Sequence, residues 1–258
     1  MKKSIVIQSI VILLILVTWN FIHLGYKLQK QAYFEKISEV PILVFSQNSE
    51  ILDSLKTQLS FAGYVSKIEI ETKTEIAEKL ISKYELNSIK SVLENHSLPD
   101  VMKVFLEGEN FDRARKEELL LMLSGTDLKT ECNPEDWNIL FDKIDFLDKS
   151  YQVINIMIII FTFFITVFMQ IHFEYKQDKF WYVYESSGGK YGQRRKHFLI
   201  SSFFAIFLPA ILVYGSYLLL INFSYLTIKI DITSFGLEIL VLLISTHISQ
   251  SILRKRLI

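Results

Sequence analysis

Four apolar stretches, Ile5–Ile22, Tyr151–Ile171, Phe198–Ile221 and Phe235–Ile252, constrain this chain more than any other feature. Each approaches the ~20 residues that an α-helix needs to cross ~30 Å of hydrocarbon. Backbone in hydrocarbon must satisfy its own hydrogen bonds, so stretches of this kind fold as helices. Between the first two lies Lys30–Lys149, a polar insert long enough for one small domain with its own core. The mean hydropathy is positive, +0.29, although 22% of the residues are charged. A soluble protein mixes the two kinds of residue; here they fall into separate blocks, the pattern of a membrane protein with one folded domain outside the bilayer.

The charges also divide by sign. Lys30–Lys149 carries 15 Lys/Arg and 23 Asp/Glu, a net of −8, and the remainder carries 13 and 5, a net of +8. Basic residues in short loops stay on the cytoplasmic side of a membrane. Residues 172–197 hold six Lys/Arg against three acids, and the tail holds Arg254, Lys255 and Arg256. The loop 222–234 has only Lys229 and Asp231. These comparisons agree on a cytoplasmic N-terminus, an external insert, a cytoplasmic middle loop and a cytoplasmic C-terminus. The first apolar run ends in Trp19, Asn20, Phe21 and His23 with no small-x-small cleavage pattern, so it reads as an uncleaved anchor. Trp19 and Tyr26 are expected at the outer interface, where aromatic rings prefer to lie.

The expected fold is therefore a four-helix membrane protein with a small α+β extracytoplasmic domain after the first helix. Its parts are 1–29 (N-terminus and first span), 30–149 (the domain) and 150–258 (three spans, with a cytoplasmic coupling loop at 173–197). Within the insert, Pro41–Ser46 and Val65–Glu71 read as strands, Val101–Glu107 as the strongest strand, and Asp127–Cys132 as a weaker one. Helical spacing marks Ile51–Leu59, a helix behind the Thr72/Glu75 capping box, and Asp112–Ser124. Asn133-Pro134 begins a helix that leads through Trp137 into the second span. Phe105 and Phe111 are expected in the core. A single cysteine, Cys132, excludes an internal disulfide and reads as a packing or surface residue.

Two segments could meet partners. Phe180, Trp181, Tyr182 and Tyr184 cluster in the short middle loop, Gly188-Gly189 breaks the helix, and Arg194-Arg195-Lys196 lead into the third span. Aromatic anchors of this kind suit docking into a partner's cleft. They equally suit a helix lying in the membrane interface, with rings in lipid and lysines at the head groups. In the insert, 84–98 forms a helical lobe presenting Leu86, Ile89, Val92, Leu93 and Leu98, which either bind an outer partner or close the domain's own core.

No catalytic constellation is visible. Ser186–Lys190 lacks the spacing of a phosphate loop, so ATP hydrolysis is not expected of this chain. The histidines at 23, 96, 172, 197 and 247 are scattered, with no zinc-helix spacing, and no cofactor, metal or nucleic-acid site is expected. Glu238 falls about one turn inside the fourth span, where a carboxyl can reach water rather than serve an ion path. His247 lies deeper and can bond to a nearby Ser or Thr.

Several of these residues carry a family resemblance. The run Glu94–Asp100, Glu-Asn-His-Ser-Leu-Pro-Asp, followed by the strand Val101–Leu106, resembles the "Asn-Pro-Leu-Pro then strand" signature of the outer domain of the cell-division protein FtsX. His96 stands in place of that signature's first proline. Val65–Ala77 resembles the family's strand and Thr/Ser-Lys-x-Glu-Ala helix, Trp137 fits its pre-span helix, and the layout matches from end to end. The resemblance implies a non-transporting, permease-like subunit that partners a cytoplasmic FtsE-like ATPase, expected as a homodimer; the residues expected to dock that ATPase, from the reading of the middle loop above, are Phe180, Trp181, Tyr184, Gly188, Gly189, Arg194 and Arg195. It also implies an outer partner, a peptidoglycan hydrolase or its activator, at the division site of a bacterial cytoplasmic membrane. Two alternatives stand beside it: a permease for lipoprotein extraction or peptide efflux, whose outer domain is usually about twice this size, and a membrane sensor with no ATPase.

Overall fold

A computed structural model describes residues 2–84, 98–124, 128–132, 134–190, 192–223 and 232–255. The elements in chain order are α1 (Lys2–Glu39), β1 (Ile42–Ser46), α2 (Ser49–Ser60), β2 (Val65–Glu71), α3 (Lys73–Tyr84) and β3 (Asp100–Leu106). After a 3-10 turn at Gly108–Asn110 come α4 (Arg113–Leu123), β4 (Lys129–Glu131), α5 (Pro134–Ser186), α6 (Gly192–Asn222) and α7 (Ile232–Lys255). The chain is mostly helical, and α1, α5, α6 and α7 are each long and apolar enough to cross a membrane. Two compact units result: a sheet unit, Leu28–Asp148, and a helical unit made of Met1–Lys27 with Lys149–Ile258.

The sheet is antiparallel, in the order β2-β3-β1-β4. Side chains alternate across a strand, and the register sets Val44 opposite Met102 and Met102 opposite Ile70. Ile42, Val44, Met102 and Val104 consequently share one face. Leu52, Leu55 and Leu59 of α2, Leu119 and Leu123 of α4, Trp137, Phe141 and Ile144 of α5, and Ile37 of α1 join them in one core. Phe111 is its aromatic centre, with ring centroids 5.3 Å from Trp137 and 5.9 Å from both Tyr64 and Phe141. Phe105 does not join it. One residue out of phase with Met102 and Val104, it is half-buried on the opposite face, with the Lys67 ammonium 6.0 Å from its ring. Cys132 is half-buried at the core's margin, and burial pushes its thiol pKa up.

Local signals place the helices. Asn48 caps α2 by accepting from the Glu50 N–H at 2.9 Å, and Asp112 caps α4 by accepting from Arg115 N–H at 2.9 Å. The Thr72/Glu75 box closes reciprocally, at 2.9 and 3.4 Å. Helix α1 continues well beyond the expected end of its span near Ile22. No residue between Ile22 and Glu39 stops a helix, whereas Pro41 forces its predecessor out of helical geometry. The extension gives Ile37 to the sheet unit's core, and Lys30 pairs with Asp148 of α5 at 2.8 Å.

Glu71, at the end of β2, accepts from Lys103 and Lys79, each at 2.7 Å. The Lys103 ammonium first, and then Lys79, hold its carboxyl below the ordinary carboxylate range. A carboxyl whose pKa is depressed in the folded state contributes stability above its unfolded pKa and loses it as pH falls through the folded value. Glu71→Gln is therefore expected to flatten the acid limb of the sheet unit's stability, and also to soften the alkaline limb because Glu71 holds the Lys79 pKa up, measured as denaturant midpoints against pH.

Inside the helical unit, Ile12 and Leu16 of α1 pack with Ile206, Ala210 and Val213 of α6 and Leu242 of α7. Pro209 lies within α6, a placement that membrane helices tolerate when neighbours satisfy the freed carbonyl.

Candidate functional site

The segment that joins α5 to α6 is a helical hairpin. Its turn begins where the Ser187 N–H bonds the Val183 carbonyl and the Gly189 N–H bonds that of Tyr184, at 3.1 and 3.0 Å. Gly188 has φ +87°, the left-handed conformation that ends helices and favours glycine. A Cβ on Gly189 would run into the Tyr184 ring, whose hydroxyl donates to Gln193 Oε1 at 2.5 Å.

One arginine ties the two arms together. Arg194, in the first turn of α6, donates from Nε to Glu174 Oε1 at 2.8 Å and from Nη2 to Asp178. Arg194 and Glu174 are both buried, whereas Asp178 is half in solvent. Three residues after Asp178, Trp181 is only 5% exposed, its ring 5.5 Å from that of His197 on α6. Its indole N–H has no hydrogen-bond partner among the described residues.

The expected docking residues consequently separate into two groups. Trp181 and Arg194 face inward and build the hairpin, so neither is an exposed anchor; Tyr184 is half-buried against the turn. Gly188 and Gly189 form the turn, and Arg195 lies in α6 with its side chain outside the described part. Phe180 remains exposed, at 56%. It shares the outer side of α5 with Tyr175, Tyr182 and Val183, Tyr182 reaching 75% exposure, and with Lys176 and Lys179. Positions 175, 179 and 182 and positions 176, 180 and 183 form neighbouring rows on a helix. Of the outer-partner residues, Leu86, Ile89, Val92 and Leu93 lie outside the described residues, and Leu98 is half-buried just ahead of β3.

A second feature is absent from the sequence-based expectations. The inward stripe of α5 is polar through the end of the apolar run and just beyond it: Thr162, Thr166, Gln170 and Glu174, each four residues after the last, are all buried. Gln170 donates to Thr246 at 3.1 Å and accepts from Ser249, both on α7. The hydroxyls of Thr162 and Thr166 have no partner among the described residues. Gln8, Gln170, Glu174, Gln177, His197 and Ser202 border a cavity of about 20 Å³, room for a single water. The signal was available as a repeat of polar residues at helical spacing within hydrophobic sequence.

Three further residues stand differently from expectation. Trp19 is buried inside the bundle, donating to Asn155 Oδ1 at 2.8 Å, whereas Tyr26 stacks on Tyr151 with centroids 4.1 Å apart. His247 is exposed on α7. Glu238 does not reach solvent: it is 1% exposed, accepting from Asn20 Nδ2 of α1 at 3.1 Å and from the Tyr214 hydroxyl of α6. Tertiary partners cover it on both sides, which position along one helix cannot reveal. Among the described residues, no group of three or more His, Cys, Asp or Glu side chains could hold a metal ion. In comparison with known proteins, the chain matches no family model and no curated protein.

Proposed function

We propose that this chain is a permease-like transmitter of the FtsX kind, set in a bacterial cytoplasmic membrane with both termini inside and the sheet unit outside. It does not itself hydrolyse ATP. A cytoplasmic ATPase docks on the α5–α6 hairpin, and its movement is relayed to the sheet unit, where a peptidoglycan hydrolase or its activator is bound. Two copies of the chain pair with two copies of the ATPase.

The observation that carries this reading is the hairpin. Its inner side is fixed by Arg194, Glu174, Asp178 and Trp181, and its outer side presents Tyr175, Phe180, Tyr182 and Val183 between two lysines. A rigid support under exposed aromatic anchors is what a docking surface needs if movement is to be transmitted rather than absorbed. The sign of charge, −8 in the insert against +8 elsewhere, supports the orientation. Helix α5 supports the relay, because the same element supplies Trp137 and Phe141 to one unit's core and Trp181 to the hairpin. An ATPase can bias the far side only through different affinities for two arrangements of the chain.

The test is co-purification of the tagged full chain from native membranes in mild detergent, wild type against Phe180→Ala/Tyr182→Ala. Both residues are exposed and neither takes part in the ion pairs of Arg194, although the Phe180 ring also lies 5.2 Å from that of Trp181. An ATPase is expected with the wild type and at least about tenfold less with the double variant, since buried aromatic anchors each contribute roughly 2 kcal/mol or more at interfaces. Equal recovery would remove the docking face. No ATPase with either protein would favour the sensor reading.

A further inference from the structure

Glu238 belongs to no part of the reading above, and its surroundings are unusual for a carboxyl. It sits six residues into α7, about 9 Å of helix rise from Ile232. Three separate helices meet at it: Asn20 of α1, Tyr214 of α6 and Glu238 itself. The Phe235 ring packs edge-on against Tyr214 with centroids 3.8 Å apart, and Leu16 and Leu242 are fully buried one turn away. A carboxylate enclosed among apolar side chains is costly unless it is paired. Among the described residues no lysine, arginine or histidine pairs with it.

The titratable neighbours on each packed element can be named. On α1 the next turn brings His23, whose Nδ1 lies 2.6 Å from the Tyr151 hydroxyl of α5. On α6 they are Tyr214 and, one turn on, the half-buried Tyr217; α5 offers Asn155, already engaged by Trp19. The chain between α6 and α7 includes Lys229 and Asp231.

We propose that Glu238 is a proton-binding site of the helical unit, exchanging one proton with water while α1, α6 and α7 stay joined. The two polar partners keep the carboxyl itself hydrogen-bonded in either protonation state. The Asn20 amide also donates to the Leu16 carbonyl at 2.9 Å, which fixes its N–H side toward Glu238, and it donates to a carboxyl oxygen in either state. The Tyr214 hydroxyl donates to the carboxylate, and by rotating its O–H it accepts from the carboxylic acid. Proton uptake forms one O–H bond on the carboxyl and breaks none in the protein. The ligand is the proton alone. The inference is independent of whether an ATPase docks on the hairpin.

Infrared difference spectra of the full chain in lipid, recorded between acidic and alkaline endpoints, test it directly. The wild type is expected to show the C=O stretch of a protonated carboxyl in a water-poor setting, bleaching as pH rises and missing from Glu238→Gln. Tyr214→Phe removes a donor that serves the carboxylate, so the midpoint should move up by about one pH unit, a tenfold gain in proton affinity. His23→Gln should leave the band in place. Absence of the band at every pH would overturn the proposal, as would a band that does not change with pH. A band that appears only in Lys229→Gln would also overturn it, by showing a permanent ion pair.

Discussion

Replacing Arg194 with methionine is expected to open the α5–α6 hairpin. The substitution keeps most of the side chain's length and apolar contact but leaves Glu174 buried with its charge uncompensated. Breaking a buried ion pair by removing one partner typically costs about 3–5 kcal/mol, more than the pair contributes over an apolar replacement. Asp178 is half-exposed and can return to water, so the penalty falls on Glu174. Hydrogen exchange at Ser187, Gly188 and Gly189 reports the opening, and their protection should fall at least about a hundredfold, since each 1.4 kcal/mol is a factor of ten. Arg194→Met/Glu174→Met should recover most of the protection, because no buried charge remains. If the double variant opens as far as the single one, the arginine acts through the shape of its hydrogen bonds and not through neutralising Glu174.

That arginine also marks the boundary of what sequence reasoning could reach. The strands of the sheet unit are visible in the alternation of Val65–Glu71 and Val101–Leu106, and the caps at Asn48, Thr72 and Asp112 act within a few residues of themselves. These are local effects, and they fall where the spacing places them. Partners far apart in the chain are another matter. Glu238 meets Asn20 across 218 positions, and nothing in the apolar run around either residue announces the other. Trp181 looked like an exposed anchor because a short loop rich in aromatics was all the sequence showed. Its burial depends on Arg194 drawing α6 against α5, which puts the His197 ring beside the indole. Phe105 is expected in the core as a large apolar residue of the strongest strand, yet strand register puts it on the other face, because a side-chain period of two allows no compromise. The polar stripe of α5 is hidden differently: averaging hydropathy over Tyr151–Ile171 conceals Thr162, Thr166 and Gln170, which all fall on one side, with Glu174 continuing the stripe beyond the span.

The close approach of Gly108 to α1 yields the second large effect. A Cβ built on Gly108 would lie 2.7 Å from the backbone carbon of Phe34 and 2.9 Å from its Cα. Real Cβ atoms do not come that near, and the obstacle is main chain, which cannot swing aside as a side chain can. The Gly108 N–H donates to Ser38 Oγ at 3.0 Å, and Ser38 in turn donates to the Phe34 carbonyl at 3.2 Å. Ile37, adjacent to Ser38, is fully buried in the sheet unit's core. Gly108→Ala must therefore push this part of α1 outward, lose the hydrogen bond and loosen Ile37 together. Overpacking costs about 1–3 kcal/mol and a lost hydrogen bond about 0.5–1.5 kcal/mol, so a loss of roughly 2–4 kcal/mol is expected. The comparison is Gly63→Ala. Gly63 has nothing within 4 Å of its would-be Cβ and no left-handed backbone, so alanine there should be neutral or stabilise by up to about 1 kcal/mol through the unfolded chain. Denaturant unfolding followed by tryptophan fluorescence in a Trp19→Phe/Trp181→Phe background, which leaves Trp137 as the reporter of the sheet unit, separates the two variants. Ser38→Ala removes the hydroxyl's hydrogen bonds to Gly108 and Phe34 without adding bulk, and should fall between them. Equal stability of the alanine variants at 63 and 108 would mean that α1 does not bear on the end of β3, and that Ile37 is held by the core rather than by this contact.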